Sequence, residues 1–206
     1  MSIDPYEAEQ EEWYAHIAAK FYEEHKEQAI SEFVTERLRS YYLTNPDVTV
    51  AALRMYKEGI ELENISTTAA VVFFSAAIEL ALKSALLKPV VYGLVHNESL
   101  AVLVAELAVK HVGIDKLRDL LLGILEEYGR INLNKFHIEG HAKPLWEEMR
   151  EIQNVRNAIV HRGQIPDSVQ IQLAKEIVTM IIGNFLPSVL NSLGLRLVKG
   201  GAIAGK

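Results

Sequence analysis

Arg156, Asn157 and His161 carry the clearest chemistry in this chain of 206 residues. A histidine side chain ordinarily titrates near pH 6.5, about where a general acid or base must work at neutral pH. An arginine presents a rigid fork of N–H donors suited to a developing oxyanion. On a helical wheel, Leu145, Ile152, Val155 and Ile159 form one apolar stripe, with Arg156 at its edge. Asn157 and His161 are four residues apart and share a more exposed face. Arg156 and His161 are five apart, about 140° around the helix. They converge only where winding relaxes at a helix end, or where two chains meet. His161 stands in the last turn before Gly163. An Arg-x4-His spacing arises by chance about 0.3 times in a chain with this content of Arg and His. Requiring Asn after the Arg lowers that to about 0.01.

Other candidates are less specific. His137 and His141 are spaced i, i+4, which suits a metal on a helix, but Gly140 lies between them and no third ligand is fixed by spacing. A polar loop is the plainer reading, and no metal site is expected. Arg130, Lys143, Arg150 and Arg162 are weak candidates for a local basic rim that contacts RNA, together with Lys135. Glu79 and Lys83 are an i, i+4 pair on the most apolar helix. They read as a helix-stabilising pair at the bundle edge or as a cleft position. Trp13, Tyr14, Phe21, Tyr22, Tyr41 and Tyr42 can stack bases, though such spacings more often pack a helix hairpin or a subunit interface. There is no glycine-rich phosphate loop and no convincing serine-triad signature.

The composition narrows the field. Half the residues are hydrophobic and 23% are charged, so most of the chain is not disordered. The absence of cysteine excludes disulfides, zinc-thiolate sites, iron–sulfur clusters and a cysteine nucleophile. A formal charge of -6 means that any nucleic-acid contact must be local. The acidic N-terminus is no signal peptide. The apolar stretch Ala69–Val95 is interrupted by Glu79, Lys83, Lys88 and Pro89, so it reads as a buried core helix rather than a membrane span. A cytoplasmic protein without membrane attachment is the expectation.

The elements that must position these residues read as helices. Asp4-Pro5 suggests the start of a helix or helix pair over Tyr6–Tyr42, with a joint near Glu27. Thr44–Asp47 forms a break. A helix over Val48–Glu63 should bury Ala51, Leu53, Met55 and Ile60. Ser66, Thr67 or Thr68 caps an apolar helix expected to end before Pro89, and its all-round apolarity marks a central bundle member. Asn97 or Ser99 starts a helix through Lys110. Asp115 caps one over Lys116–Tyr128, which Gly129 stops. Arg130–Lys143 is a polar loop. Pro144 opens a helix to about Arg162 and Pro166 one to about Leu193. Val48–Val50 and Val90–Leu94 are the only strand candidates. The expectation is all-α: a helical extension over 1–45, a bundle over 46–193 and a flexible glycine-rich tail over 194–206.

The Arg156-Asn157-x-x-x-His161 pattern near the end of a late helix, with the earlier apolar helix AAVVFFSAAIELALKSALLK, resembles the HEPN superfamily. The resemblance covers roughly Val48–Leu193 and assigns no subfamily. It implies a HEPN-like helical bundle and a metal-independent endoribonuclease without a cofactor. Arg156, Asn157 and His161 would be its catalytic residues, assembled from two copies in a homodimer. It further implies a defence or toxin–antitoxin context, antiviral or growth-arresting, with an antitoxin or nucleotidyltransferase-like protein as partner. Many members of the superfamily are inactive. The alternative is therefore a non-catalytic dimerisation or binding module that partners another protein.

Overall fold

A computed structural model describes residues 13–14, 16–17, 20, 31–95, 98–111 and 114–206. The architecture is all-α, with one two-stranded hairpin among the described residues. A helix over 31–44 (α1) leads through a 3-10 turn, Pro46–Thr49, into α2 (Val50–Leu62). The turn after α2 is closed by Ser66, whose Oγ accepts from the Ala69 amide and caps α3 (Thr67–Leu80). A π-helical stretch, Ala81–Leu87, joins α3 to α4 (Lys88–Leu94) without a break. Then come α5 (Glu98–His111), α6 (Arg118–Glu127) and α7 (Leu145–Arg162). A capping box of Asp167 and Gln170 starts α8 (Ser168–Met180). A second π-helical stretch, Ile181–Phe185, continues it into α9 (Leu186–Ser192).

The helix expected to stop before Pro89 runs on to Leu94, and the candidate strand Val90–Leu94 is helical. Pro89 has no N–H for the Ala85 carbonyl four residues back, and its ring crowds that carbonyl. The wider π winding relieves the crowding. This carbonyl accepts from another helix: the Tyr42 hydroxyl donates to Ala85 O at 2.6 Å. Burial pushes the Tyr42 phenol far above its usual range, so it stays a donor. Tyr42→Phe should cost about 1–3 kcal/mol, because it strands a buried carbonyl. The cost should shrink in a Pro89→Ala background, where an amide can fill the gap. Equal urea midpoints for Tyr42→Phe and the parent would reject this account.

Leu38, Tyr41 and Tyr42 are buried with the central helices, so the end of the expected extension belongs to the bundle core rather than standing apart from it. Tyr41 packs on Tyr92 at 4.9 Å between ring centroids. Phe21, Tyr22, Asn97 and the Asp4-Pro5 start lie outside the described residues. Trp13 and Tyr14 pack edge to face and stand exposed. In α2 it is Ala52 and Gly59 that are fully buried. Leu53, Met55 and Ile60 are half-buried against the core. Two helices, Thr67–Gly93 and Ser168–Ser192, are long and apolar enough to cross a membrane, with 67% and 50% of their most apolar windows buried inside the fold.

Three further expectations are corrected. The backbone at Asp115 belongs to a 3-10 turn, Ile114–Leu117, so α6 begins at Arg118. Its left-handed exit residue is Arg130, at φ 56°, not Gly129, where a side chain would strike the Leu125 carbonyl. The tail is not loose. Leu195–Leu197 (β1) and Ile203–Gly205 (β2) pair antiparallel, with Leu197 opposite Ile203. Leu195 and Ile203 are buried, β1 against α9 and β2 against the Pro46–Thr49 turn. Thr49 Oγ1 donates to the Gly201 carbonyl. Gly201 has φ 92°, a conformation that L side chains rarely adopt, and it passes close to Leu53.

Candidate functional site

The sequence of α7 determines how it presents its side chains. Leu145, Ile152, Val155 and Ile159 are buried as the periodicity requires, joined by Trp146, Met149 and Ala158. Pro144 precedes the first turn, and Glu147 and Glu148 complement its positive end. The helix stays regular to Arg162. There Gly163, at φ 65°, turns the chain, and the Gln164 amide returns to the Ala158 carbonyl. No relaxed winding brings Arg156 to His161. The two remain about 140° apart around the axis and about 7.5 Å along it.

Arg156 is half-buried, and its Nη1 donates to Asn157 Oδ1 at 3.1 Å. Asn157 thus holds the guanidinium rather than the imidazole. His161 is exposed in the last turn beside Arg162, where the helix dipole favours cations. α3 and α7 run antiparallel. Ser75 and Ile78 meet Trp146, Met149 and Ile152 around a cavity of about 10 Å³, while Val71 meets Val155 and Ile159 in a separate small core with Ile171. The motif end of α7 therefore coincides with the start of α3. Four large apolar side chains stand exposed at this end: Ile65, Val160, Ile165 and Val169. The described residues leave this surface uncovered.

The four basic rim candidates are not gathered into one patch. Lys143 precedes the first turn of α7 and Arg162 closes its last, at opposite ends of an 18-residue helix about 27 Å long. Lys143 is engaged with Glu151 at 2.6 Å, and that carboxylate raises its pKa. Arg130 sits at the exit of α6, and Arg150 flanks the small α3/α7 cavity. Only Arg162 adjoins the motif. Glu79 and Lys83 form the expected pair at 2.8 Å, with Lys83 buried in the π-helical stretch.

The loop of residues 130–144 is polar in composition yet anchored. Leu133 and Ile138 are buried, and Phe136 packs edge to face on Phe185 at 5.1 Å. His137 is exposed, and it does not share a helix with His141. His141 lies between two carboxylates instead, with Nδ1 2.8 Å from Glu148 Oε1 and Nε2 3.1 Å from Glu176 Oε2. Neither glutamate was legible as a site residue, because His141, Glu148 and Glu176 come from a loop, α7 and α8. Among the described residues, no group of three or more His, Asp or Glu is placed to hold a metal ion.

No family model, curated protein or solved structure matches the chain.

Proposed function

We propose that the chain is a metal-independent endoribonuclease of the HEPN type, working as a homodimer. The observation that carries this reading is the Arg156 guanidinium, held by Asn157 on the same helix end as an exposed His161. His161 of one chain removes the proton from a ribose 2′-hydroxyl. The 2′-oxygen attacks the adjacent phosphorus, and the P–O5′ bond breaks. The second His161, in its protonated form, gives the departing 5′-oxygen its proton. Arg156 donates to the non-bridging oxygens as charge builds on them. The products are a 2′,3′-cyclic phosphate and a 5′-hydroxyl. Such an activity suits defence or a toxin–antitoxin pair in the cytoplasm, where an antitoxin or nucleotidyltransferase-like protein would restrain it.

The test is incubation of the purified chain with total RNA in EDTA. Cleavage leaving cyclic phosphate ends is expected, and activity that requires an added divalent ion sinks the mechanism. Because Arg156 and His161 point apart on a regular helix, the active species should be a dimer. Binding of RNA should weaken as salt rises, despite the net charge of -6. Analytical ultracentrifugation at assay concentration decides the stoichiometry, and an active monomer removes the composite site.

A second reading is favoured by the exposed Ile65, Val160, Ile165 and Val169 around the motif. The same surface suits a non-catalytic HEPN-like module that docks a partner protein. Dimerisation without any RNA cleavage would select it.

A further inference from the structure

Between α7 and α8, beneath Gly140–Lys143, lies an open cleft of about 520 Å³. That is within the usual range for small-ligand sites, roughly 300–1,000 Å³. Its walls combine an apolar side, Ala142, Val169 and Leu173, with three carboxylates, Glu148, Glu151 and Glu176. The chain answers them with one lysine, one histidine and the Gln172 amide, whose Nε2 donates to Glu176 Oε1 at 2.6 Å. Lys143 Nζ donates to Glu151. His141 meets Glu148 through Nδ1 and Glu176 through Nε2.

The decisive feature is Glu148. It is only 4% exposed, and its Oε2 has no hydrogen-bond partner. A buried carboxylate oxygen without a donor is costly, so the site calls for a further donor that carries positive charge. The arrangement discriminates between cations. The carboxylates come from separate turns of two helices. That suits a compact ammonium with three N–H donors better than a planar guanidinium fork, which needs its acceptors in one plane. Metal-ligand geometry is not present here among the described residues. The apolar side matches a chain of methylenes, as when a lysine stem lies along apolar surface while its head stays polar. Lys143 on Glu151 shows the cleft already accepting one ammonium from the chain itself.

We propose that this cleft binds the ammonium end of an alkyl amine, with Glu148 and Glu176 receiving its N–H donors and Val169 and Leu173 covering its stem. Entry displaces His141 from Glu176, which is one-third exposed and keeps its hydrogen bond from Gln172. The guest is either a free polyamine or a lysine side chain of a partner protein. The site uses none of Arg156, Asn157 or His161, so it stands or falls apart from the ribonuclease reading.

The experiment is calorimetric titration of the full chain with n-butylammonium, 1,4-diaminobutane and an end-blocked Gly-Lys-Gly peptide, with n-butanol as the uncharged control. The His141 ring resonances are followed by NMR in parallel. Saturable binding of the amines but not of butanol is expected, together with a shift of the His141 ring signals. Glu176→Gln, on a partly exposed position that should fold normally, should weaken binding by about tenfold. Tighter binding of the diamine assigns a free polyamine, and tighter binding of the peptide assigns a lysine side chain. The proposal is overturned by an absence of saturation at millimolar amine. It is equally overturned by unchanged affinity in Glu176→Gln, or by a crystal soaked in amine that shows only an ordered water on Glu148 Oε2.

Discussion

His161→Ala should abolish RNA cleavage and leave the helical circular-dichroism signal and the urea midpoint unchanged. The side chain is exposed at the last turn of α7, on the face away from the buried stripe. Its removal forfeits at most the interaction of a cation with the helix end, about 0.3–1 kcal/mol when the ring is charged. Loss of a positioned acid or base costs about 10²–10⁴ in rate, and in the proposed dimer one substitution would remove both copies. Arg156→Ala should lose about 10²–10³ through the missing oxyanion donor, with some destabilisation from its half-buried stem. Asn157→Ala should give a smaller loss, because it frees the guanidinium without removing it. Folded His161→Ala or Arg156→Ala protein cleaving at the parent rate would reject the assigned roles.

Phe74→Ala should be among the most damaging single changes to the fold, at about 3–5 kcal/mol. The ring is completely buried in the main core and packs 6.2 Å from the Tyr56 ring. It also lies directly over Gly59 of α2, where an added Cβ would come within 2.6 Å of two ring carbons. Gly59→Ala should therefore cost about 1–3 kcal/mol through overpacking. The two changes should couple: in a Phe74→Leu background the alanine at 59 costs less, since the flat ring that it strikes is gone. Urea unfolding of the two single variants and the double variant measures that coupling. Strictly additive costs would mean that the α2/α3 contact does not depend on this close approach.

How much of this was legible in the sequence depends on how local each signal is. The buried stripe of α7, its start after Pro144, its stop at Gly163 and the Ser66 cap all follow from residues within one or two turns, and the structure has them. Pro89 misled because the rule that proline ends a helix assumes an unrelieved carbonyl, whereas Tyr42, 43 residues before Ala85, supplies the donor. The hairpin escaped because three-residue strands show too little alternation, and their burial depends on Leu53 and Thr49 far away in the chain. Arg156, Asn157 and His161 were visible as types and spacing. That Asn157 serves Arg156 needed coordinates. Glu148 had no signal at all, since its importance comes from a loop histidine seven residues earlier and a cleft shared with another helix.

The π-helical stretches before Pro89 and Pro187 change the phase of their helices. Each π turn accommodates about one residue more than an α turn, so the segment beyond it is rotated relative to where an unbroken α-helix would have pointed it. A heptad pattern carried across Ala81–Leu87 therefore assigns the wrong face to Val90, Val91 and Tyr92, the residues on which α1 and α5 are built. A one-residue deletion inside that stretch would let ordinary α winding resume with α4 facing nearly as before, but would return the Pro89 ring to its clash with the preceding turn. A one-residue insertion would turn α4 by about 100° and pull Tyr92 away from Tyr41. The spacing between the apolar helix and its proline is thus a length constraint on the chain, and insertions or deletions there should be tolerated less than in the exposed loop around Gly140.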